Sequence, residues 1–307
     1  MSGPTAALAR ATTRAASKQT YCTIRFLVSR PRRDDAFRAY AYFRWVDDVL
    51  DGAATPGFRQ RFLARQASLL EACLRGEPPA DLTRHEAMLA DLAETADLTE
   101  WGLDAYLRNM MWVMSFDAAR RGRLVTRAEL DAYTGWLATA VTGAMHYFLG
   151  GSRSAPNDPA AFRAVIGAHI LHMLRDTGED LPNGYVNVPR EQLDAYRANP
   201  TDTGTDAYRD WVAHRVRVAA ADLDAGSAYF SSLPNLRHRL AGLAYIARFR
   251  WLVRRIEADG FRLRESYDEH RRFSTTLRMG RDAGGELLRS AFGGRPPTLA
   301  TPLRRPS

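Results

Sequence analysis

Prolines and helix-capping sequences cut this chain into segments of helical length. None of these segments alternates apolar and polar residues with the period of two that a half-buried strand needs. Prolines stand at 56, 78, 79, 182, 189, 200 and 234, where helices would stop or start. Thr83 with Glu86, and Thr126 with Glu129, have the capping-box spelling. Asp158 ahead of Pro159 places an N-cap before a first-turn proline. The pattern predicts helices at about 34–52, 57–75, 84–96, 99–120, 127–149, 159–180, 205–232, 235–259 and 277–291. No glycine-rich strand–turn–helix unit is present, which argues against a dinucleotide or P-loop fold. Connections are short and no repeat is visible, so the expectation is one all-α domain over 17–292. Residues 1–16 and 293–307 are expected to be disordered tails.

The chain has 307 residues, 46% hydrophobic and 25% charged, enough to bury a core around an internal cavity. No apolar run reaches the length of a membrane span. Cys22 and Cys73 are the only cysteines, with no metal or disulfide spacing, which fits a reducing cytoplasm. The Ala/Arg/Ser/Thr-rich start resembles a transit peptide superficially, but the reading adopted is cytoplasmic. The net charge is +8 and Lys18 is the single lysine. A GC-rich coding bias explains that arginine excess, and an anionic partner is compatible with it. The run Arg248, Arg250, Arg254, Arg255 reads as a solvated helix face, with peripheral contact to an anionic membrane as a second use. No helix-turn-helix or basic-aromatic module supports a nucleic-acid partner.

Two segments carry chemistry. Phe43 to Asp51 contains Asp47 and Asp51, and Leu174 to Asp180 contains Asp176 and Asp180. Carboxylates four apart share a helix face and repel by a few tenths of a kcal/mol. Stability alone would not place such a pair twice in apolar helices, and a hard cation such as Mg²⁺ removes the penalty. Each pair has an arginine beside it, Arg44 and Arg175. Carboxylate, metal and guanidinium together describe a diphosphate site.

The run Tyr40 to Asp51 resembles the first aspartate-rich motif of squalene and phytoene synthases, and Leu174 to Asp180 with Gly184 and Pro189 resembles the second. Phe116-Asp117, Glu129 to Tyr133 and the small-residue run Ala138 to Ala144 match between them, so the resemblance spans roughly 17–290. It implies an isoprenoid-synthase-like helical bundle with a central cavity. Asp47, Asp51, Asp176 and Asp180 would bind Mg²⁺, and Arg44, Arg175 and Tyr40 would bind an allylic prenyl diphosphate. Aromatic rings on the same helices, Tyr40, Trp45, Tyr133, Trp136 and Tyr147, read first as core packing, and in the functional version their faces would stabilise an allylic cation.

The chain departs from the family pattern in five places. His169 and His172 stand where the family has Gln and Asn. Tyr185-Val186-Asn187 stands where it has Arg, an apolar residue and Tyr. Phe249 and Ser266 fall near a family Tyr and Arg that hold a second diphosphate. The expectation is therefore an intact first diphosphate site and a second space that is less positive and more apolar. That motivates transfer of one prenyl group to a small aromatic acceptor, carbazole-like among the options. His172 would act as a base or as a metal ligand, with Asp48 and Tyr133 as catalytic residues and His169, Tyr185 and Asn187 as substrate contacts; both histidines also read as structural. The alternative is head-to-head condensation of two prenyl diphosphates to presqualene diphosphate, squalene or phytoene. A binding module with exposed aspartates is the reading from another class.

Overall fold

Every regular element of the computed structural model, which describes residues 5–52, 55–150, 153–196 and 199–267, is an α-helix. In chain order these are α1 (Ala6–Ala16), α2 (Lys18–Leu27), α3 (Arg33–Gly52), α4 (Pro56–Leu74), α5 (Ala87–Thr95) and α6 (Trp101–Arg120). They continue as α7 (Arg127–Leu149), α8 (Ala160–Arg175), α9 (Thr177–Asp180), α10 (Arg190–Tyr196), α11 (Asp206–Ser232) and α12 (Leu236–Ala258). Local chemistry sets the boundaries. Thr55 accepts the Phe58 N–H ahead of Pro56, and Thr126 and Glu129 form the full reciprocal capping box. α7 stops at Gly150, whose left-handed φ of 82° a side chain would resist.

Three expectations are corrected. The segment 1–16 is not a disordered tail where it is described: Ala6 to Ala16 is helical, because alanine favours helix and Ala6, Ala9 and Thr13 are buried. This helix packs on α3, and Thr5 before it donates its hydroxyl to Asp91 Oδ2 at 2.7 Å and accepts from Arg38 Nε at 3.1 Å. The helix expected over 159–180 breaks at Asp176, whose backbone leaves helical geometry (φ −89°, ψ 1°). α10 was not anticipated, its seven residues being too few to show a period. The expected helix at 277–291 and the tail at 293–307 lie outside the described residues.

The helices enclose two apolar cores. One is built from α3, α5, α6 and α7, with Phe37, Tyr42, Val46, Leu89, Leu103 and Leu107 buried in it. The other is built from α8, α11 and α12, around Leu171, Leu174, Val216, Leu223, Ile246 and Phe249. Met145 of α7 packs against both. The small-residue run in α7 has a structural use here: a Cβ on Gly143 would lie 2.6 Å from the Gly102 carbonyl, so the two glycines let α6 and α7 touch backbone to backbone. The seam between the cores brings together the C-terminal halves of α3, α6 and α8, the N-terminal half of α7 and the middle of α12. No helix among the described residues is long and apolar enough to cross a membrane.

Candidate active site

The first acidic set sits at the C-terminal end of α3. Arg44 Nη1 donates to Asp47 Oδ2 at 3.0 Å, and Arg44 Nη2 donates to Asp48. Arg44 thus neutralises part of its own motif, as residues three and four apart on a helix can. Asp48 points outward and is exposed, so it anchors the guanidinium from the solvent side instead of lining the cavity. Tyr40, one turn earlier and half-buried, has its hydroxyl against those of Ser17 and Thr20 at the start of α2.

The second set sits where α8 breaks into α9. Arg175 grips the neighbouring Asp176 with two bonds, Nε to Oδ1 at 2.6 Å and Nη2 to Oδ2 at 2.7 Å. Asp180 stays one turn on, its N–H bonded to the Asp176 carbonyl at 2.7 Å. The irregular segment 261–267 passes this turn, and a Cβ on Gly178 would meet the Glu265 carbonyl at 2.9 Å, so glycine is required there.

A residue that the sequence reading had noted only as a matching position joins the two sets. Asp117, at the C-terminal end of α6, accepts from Arg120 Nε at 2.7 Å and from the Tyr133 hydroxyl at 2.7 Å. Its charge reaches Asp47 and Asp51 on one side and Asp180 on the other. Arg120, buried, also donates to Asn187 Oδ1 at 2.8 Å, and Asn187 Nδ2 donates to Asp180 Oδ2 at 2.6 Å. Tyr185 lies beneath the Arg120 guanidinium, 4.8 Å from its ring centroid. One network therefore runs from Tyr133 through Asp117, Arg120 and Asn187 to Asp180. It is legible only in three dimensions, because its members come from α6, α7, α9 and the loop after α9.

Burial, and after it the crowding of carboxylates, raises their proton affinity. Asp47 is pushed up to about 6, first by burial and then by Asp51, with Asp117 and Asp48 adding to it against Arg44. Asp180 is pushed up to about 6 by burial, while the Asn187 amide pulls the other way and Asp176 and Asp117 raise it further. Burial also raises Asp51. Tyr133 is raised well above its ordinary value by burial and by Asp117, so the phenol stays protonated.

The two histidines differ. His169 is buried with its ring 4.8 Å from that of Tyr133, and its Nε2 has no hydrogen-bond partner among the described residues. Burial, then Arg120 and Arg215, lower its pKa to about 3, so the ring is neutral. His172 is half-buried with its ring 4.8 Å from that of Phe249, which is itself buried between His172 and Tyr245. Ser266 is exposed in the segment that crosses Gly178.

Several expected residues belong elsewhere. Trp45 leaves the cavity side of α3 and stacks on His85 at 5.0 Å, with Phe62 of α4 at 5.4 Å. Tyr147 lies at the other end of α7 under Arg32, 4.2 Å from its ring centroid. Only Tyr133 and Trp136 of that aromatic stripe stay with Phe116 beside Asp117. The arginine run of α12 is not uniformly solvated. Arg250 bonds Asp224 at 2.7 Å, but Arg248 turns toward the site, where burial and then Arg175 lower its pKa, with Asp176 and Tyr40 also in reach. Positive charge beyond the two motif arginines is thus present near the acidic sets: Arg120 beside Asp117, and Arg248 in electrostatic reach of Asp176.

The donor set suits Mg²⁺. Carboxylates whose pKa is raised by burial and then by one another are oxygen ligands that a hard cation would relieve. Among the described residues no three carboxylate, imidazole or thiol groups converge on one point, so any ion would take one or two carboxylates and complete its shell with diphosphate oxygens and water.

Known proteins resemble this chain in sequence and in fold. Among sequence relatives, a presqualene diphosphate synthase of Rhodopseudomonas palustris is 27% identical over 182 residues, which is 59% of this chain and 62% of that protein. The chain therefore spans less than two thirds of that relative's length. A phytoene synthase of Thermus thermophilus is 26% identical over 250 residues, 76% of this chain and 78% of that protein. The squalene synthase HpnC from Alicyclobacillus acidocaldarius has the same fold, with a TM-score of 0.68 at 20% identity over 85% of this chain and 95% of its own. A dehydrosqualene synthase in complex with ligand gives 0.71 at 15% identity, over 92% and 96%. The family model for squalene/phytoene synthase matches residues 13–278, which takes in both acidic motifs, Asp117 and α12, and the chain belongs to that family.

Proposed function

We propose that the chain is a prenyltransferase that condenses two allylic prenyl diphosphates head to head. The observation that carries this reading is the coupling of both acidic motifs through Asp117, each motif with its own arginine. The names of the sequence relatives, presqualene diphosphate synthase and phytoene synthase, belong to that reaction class. Arg248, with no carboxylate within ion-pair distance among the described residues, adds positive charge near Asp176, which favours condensation over the aromatic-acceptor expectation.

In this reading the allylic C–O bond of one substrate breaks and its electron pair leaves with the diphosphate. The double bond of the second substrate attacks the allylic cation, and a proton is lost. Bound Mg²⁺ would neutralise charge on the leaving group, held by Asp47 and Asp51 on one side and Asp176 and Asp180 on the other. Arg44 and Arg175 orient those carboxylates and offer their remaining N–H groups to diphosphate oxygens. Tyr133 and Arg120 hold Asp117 in place, and Asn187 holds Asp180. His172, one turn before Asp176 and beside Phe249, would receive the proton.

The test is incubation with Mg²⁺ and geranyl, farnesyl or geranylgeranyl diphosphate, with and without a nicotinamide reductant. Two equivalents consumed per product, as a cyclopropyl diphosphate or a symmetric hydrocarbon, is the expected result. One equivalent consumed per prenylated ring when an aromatic acceptor is supplied would establish the acceptor reading instead. Absence of diphosphate release under all these conditions would overturn both.

A further inference from the structure

We infer that the cleft between the N-terminal ends of α3, α6 and α12 is a second ligand site, remote from the aspartates, where Arg32, Arg153 and Arg237 hold the phosphate head of an amphiphile. It uses no residue of the candidate active site and is independent of the condensation reading. Gly150, which lines it, is about 25 Å along α7 from Tyr133.

The cleft has a volume of about 560 Å³, and its lining holds three guanidiniums against one carboxylate, Glu100. Glu100 is buried and accepts from Arg32 Nη2 at 2.9 Å, with Arg153 Nη2 at 3.6 Å. Arg153 also donates to Asp97 at 2.5 Å, so two carboxylates answer two of the arginines. Arg237 is exposed on the rim and has no carboxylate within ion-pair distance among the described residues. Three helix ends add partial positive charge: Arg32 precedes α3, α6 starts at Trp101 without a side-chain cap, and Asn235 caps α12. The acids in the first turn of α3 are engaged elsewhere, Asp34 by Arg10 and Asp35 by Arg38. The opposing C-terminal end of α7 is already satisfied. Arg32 Nη1 donates to the Tyr147 carbonyl, the Gly150 N–H to the His146 carbonyl, and Asn235 Nδ2 to the Gly150 carbonyl at 3.0 Å.

The cleft is therefore one negative charge short of balance. An oxygen-rich anion fits it, because guanidinium groups match phosphate oxygens in geometry as well as charge. A bare phosphate would leave most of the volume empty. The apolar part of the lining comes from Leu149, which is buried, and from Leu236, 52% exposed in the first turn of α12. A ligand with a phosphate head and an apolar tail uses both kinds of lining. The interior beside the cleft adds a second observation. His146, one turn before Gly150, and His238, next to Arg237, pack with ring centroids 4.7 Å apart. Both are buried, and His146 Nδ1 and His238 Nε2 have no hydrogen-bond partner among the described residues. Orphaned buried nitrogens are costly, and negative charge in the cleft favours a proton on them.

Inorganic pyrophosphate and geranyl diphosphate, titrated into the full chain in EDTA, are the soluble probes, read by calorimetry and by the histidine ring signals in NMR. Shifts at His146 and His238, with His169 and His172 unmoved, mark this cleft. Arg237→Glu and Arg153→Gln should each weaken binding roughly tenfold or more. Arg217→Gln, which removes a charge from the exposed face of α11, should change it less than about twofold. Leu236→Ser should cost geranyl diphosphate more than pyrophosphate, and an equal cost overturns the amphiphile assignment. Co-sedimentation with phosphatidylcholine vesicles, with and without phosphatidic acid, is the second arm. Binding that needs both phosphatidic acid and Arg237 makes the source a lipid headgroup, and soluble binding without vesicle binding makes it a free phosphate amphiphile. Arg237→Glu should keep the wild-type kcat at saturating substrate and Mg²⁺. Binding in neither arm, wild-type affinity in both Arg237→Glu and Arg153→Gln, an equal loss in Arg217→Gln, shifts at His169 and His172 instead, or a kcat lost together with binding overturns the inference.

Discussion

The Tyr133 hydroxyl donates to Asp117 Oδ2 at 2.7 Å, and the carboxylate it holds is the one felt by both acidic motifs. Tyr133→Phe should lower kcat by the loss of about 1–2 kcal/mol of positioning. Asp117→Asn should do more, because it removes a charge that raises Asp47 and Asp180. Its acid limb in a kcat/KM–pH profile should move to lower pH, a shift that Tyr133→Phe should not produce. Unchanged profiles in both variants would remove Asp117 from the site.

Asp47→Asn and Asp180→Asn should each cut turnover by several orders of magnitude while leaving the melting temperature in metal-free buffer equal or higher, since each deletes a repelled carboxylate. Mg²⁺ should raise the melting temperature of the wild-type chain and raise that of the variants less, because a ligand that binds only the folded state stabilises it. Scanning calorimetry with and without Mg²⁺ measures this. A melting temperature that collapses with activity would mean a structural role.

The pH dependence follows from the same two groups. Their folded pKa, about 6, lies above the ordinary 3.8, so between those values the folded state holds more protons than the unfolded one. Their contribution to stability is full below about pH 4 and is lost as pH rises through about 6. The buried His169 and His238, lowered to about 3 and about 4, act in the opposite sense and weaken the fold as pH falls below 6.5. Comparing Asp180→Asn with wild type isolates the carboxylate: the variant's advantage in melting temperature should be near zero at pH 4 and reach its plateau above pH 7.

Arg44→Lys and Arg175→Lys keep the charge and lose the planar fork that spans Asp47 and Asp48 or grips both oxygens of Asp176. Each should lose about 1–3 kcal/mol of transition-state stabilisation, read from kcat/KM. Wild-type kinetics in both would exclude them.

Gly143→Ala should destabilise the fold by about 1–3 kcal/mol in urea titration, because its Cβ would meet the Gly102 carbonyl. Gly135→Ala, on the same helix with nothing within 4 Å, should instead stabilise by up to about 1 kcal/mol through helix propensity.

Local chemistry is what a sequence carries most directly, and α3, α4, α6, α7, α11 and α12 were legible within a few residues from caps, prolines and period. That an arginine stands beside each acidic pair was legible, and three residues put Arg44 within reach of Asp47; the two-bond contact of the adjacent Arg175 and Asp176 was not, because neighbours on a helix do not face each other. α1 was missed because an alanine-rich helix of eleven residues resembles a tail until its burial against α3 is known. Trp45 and Tyr147 belong to an aromatic stripe that reads as core or as cavity lining, and spacing does not say which neighbour each face meets.

The sequence by itself determined an all-α chain with two acidic helix ends, each with its arginine, because those features depend on residues within one or two turns of each other. Only the tertiary structure decided that Asp117 joins them, that Asn187 serves Asp180, and that Arg248 leaves its solvated neighbours and turns inward. Those contacts link residues from 7 to 229 positions apart, and their existence depends on how α6, α8 and α12 rotate as the two apolar cores close.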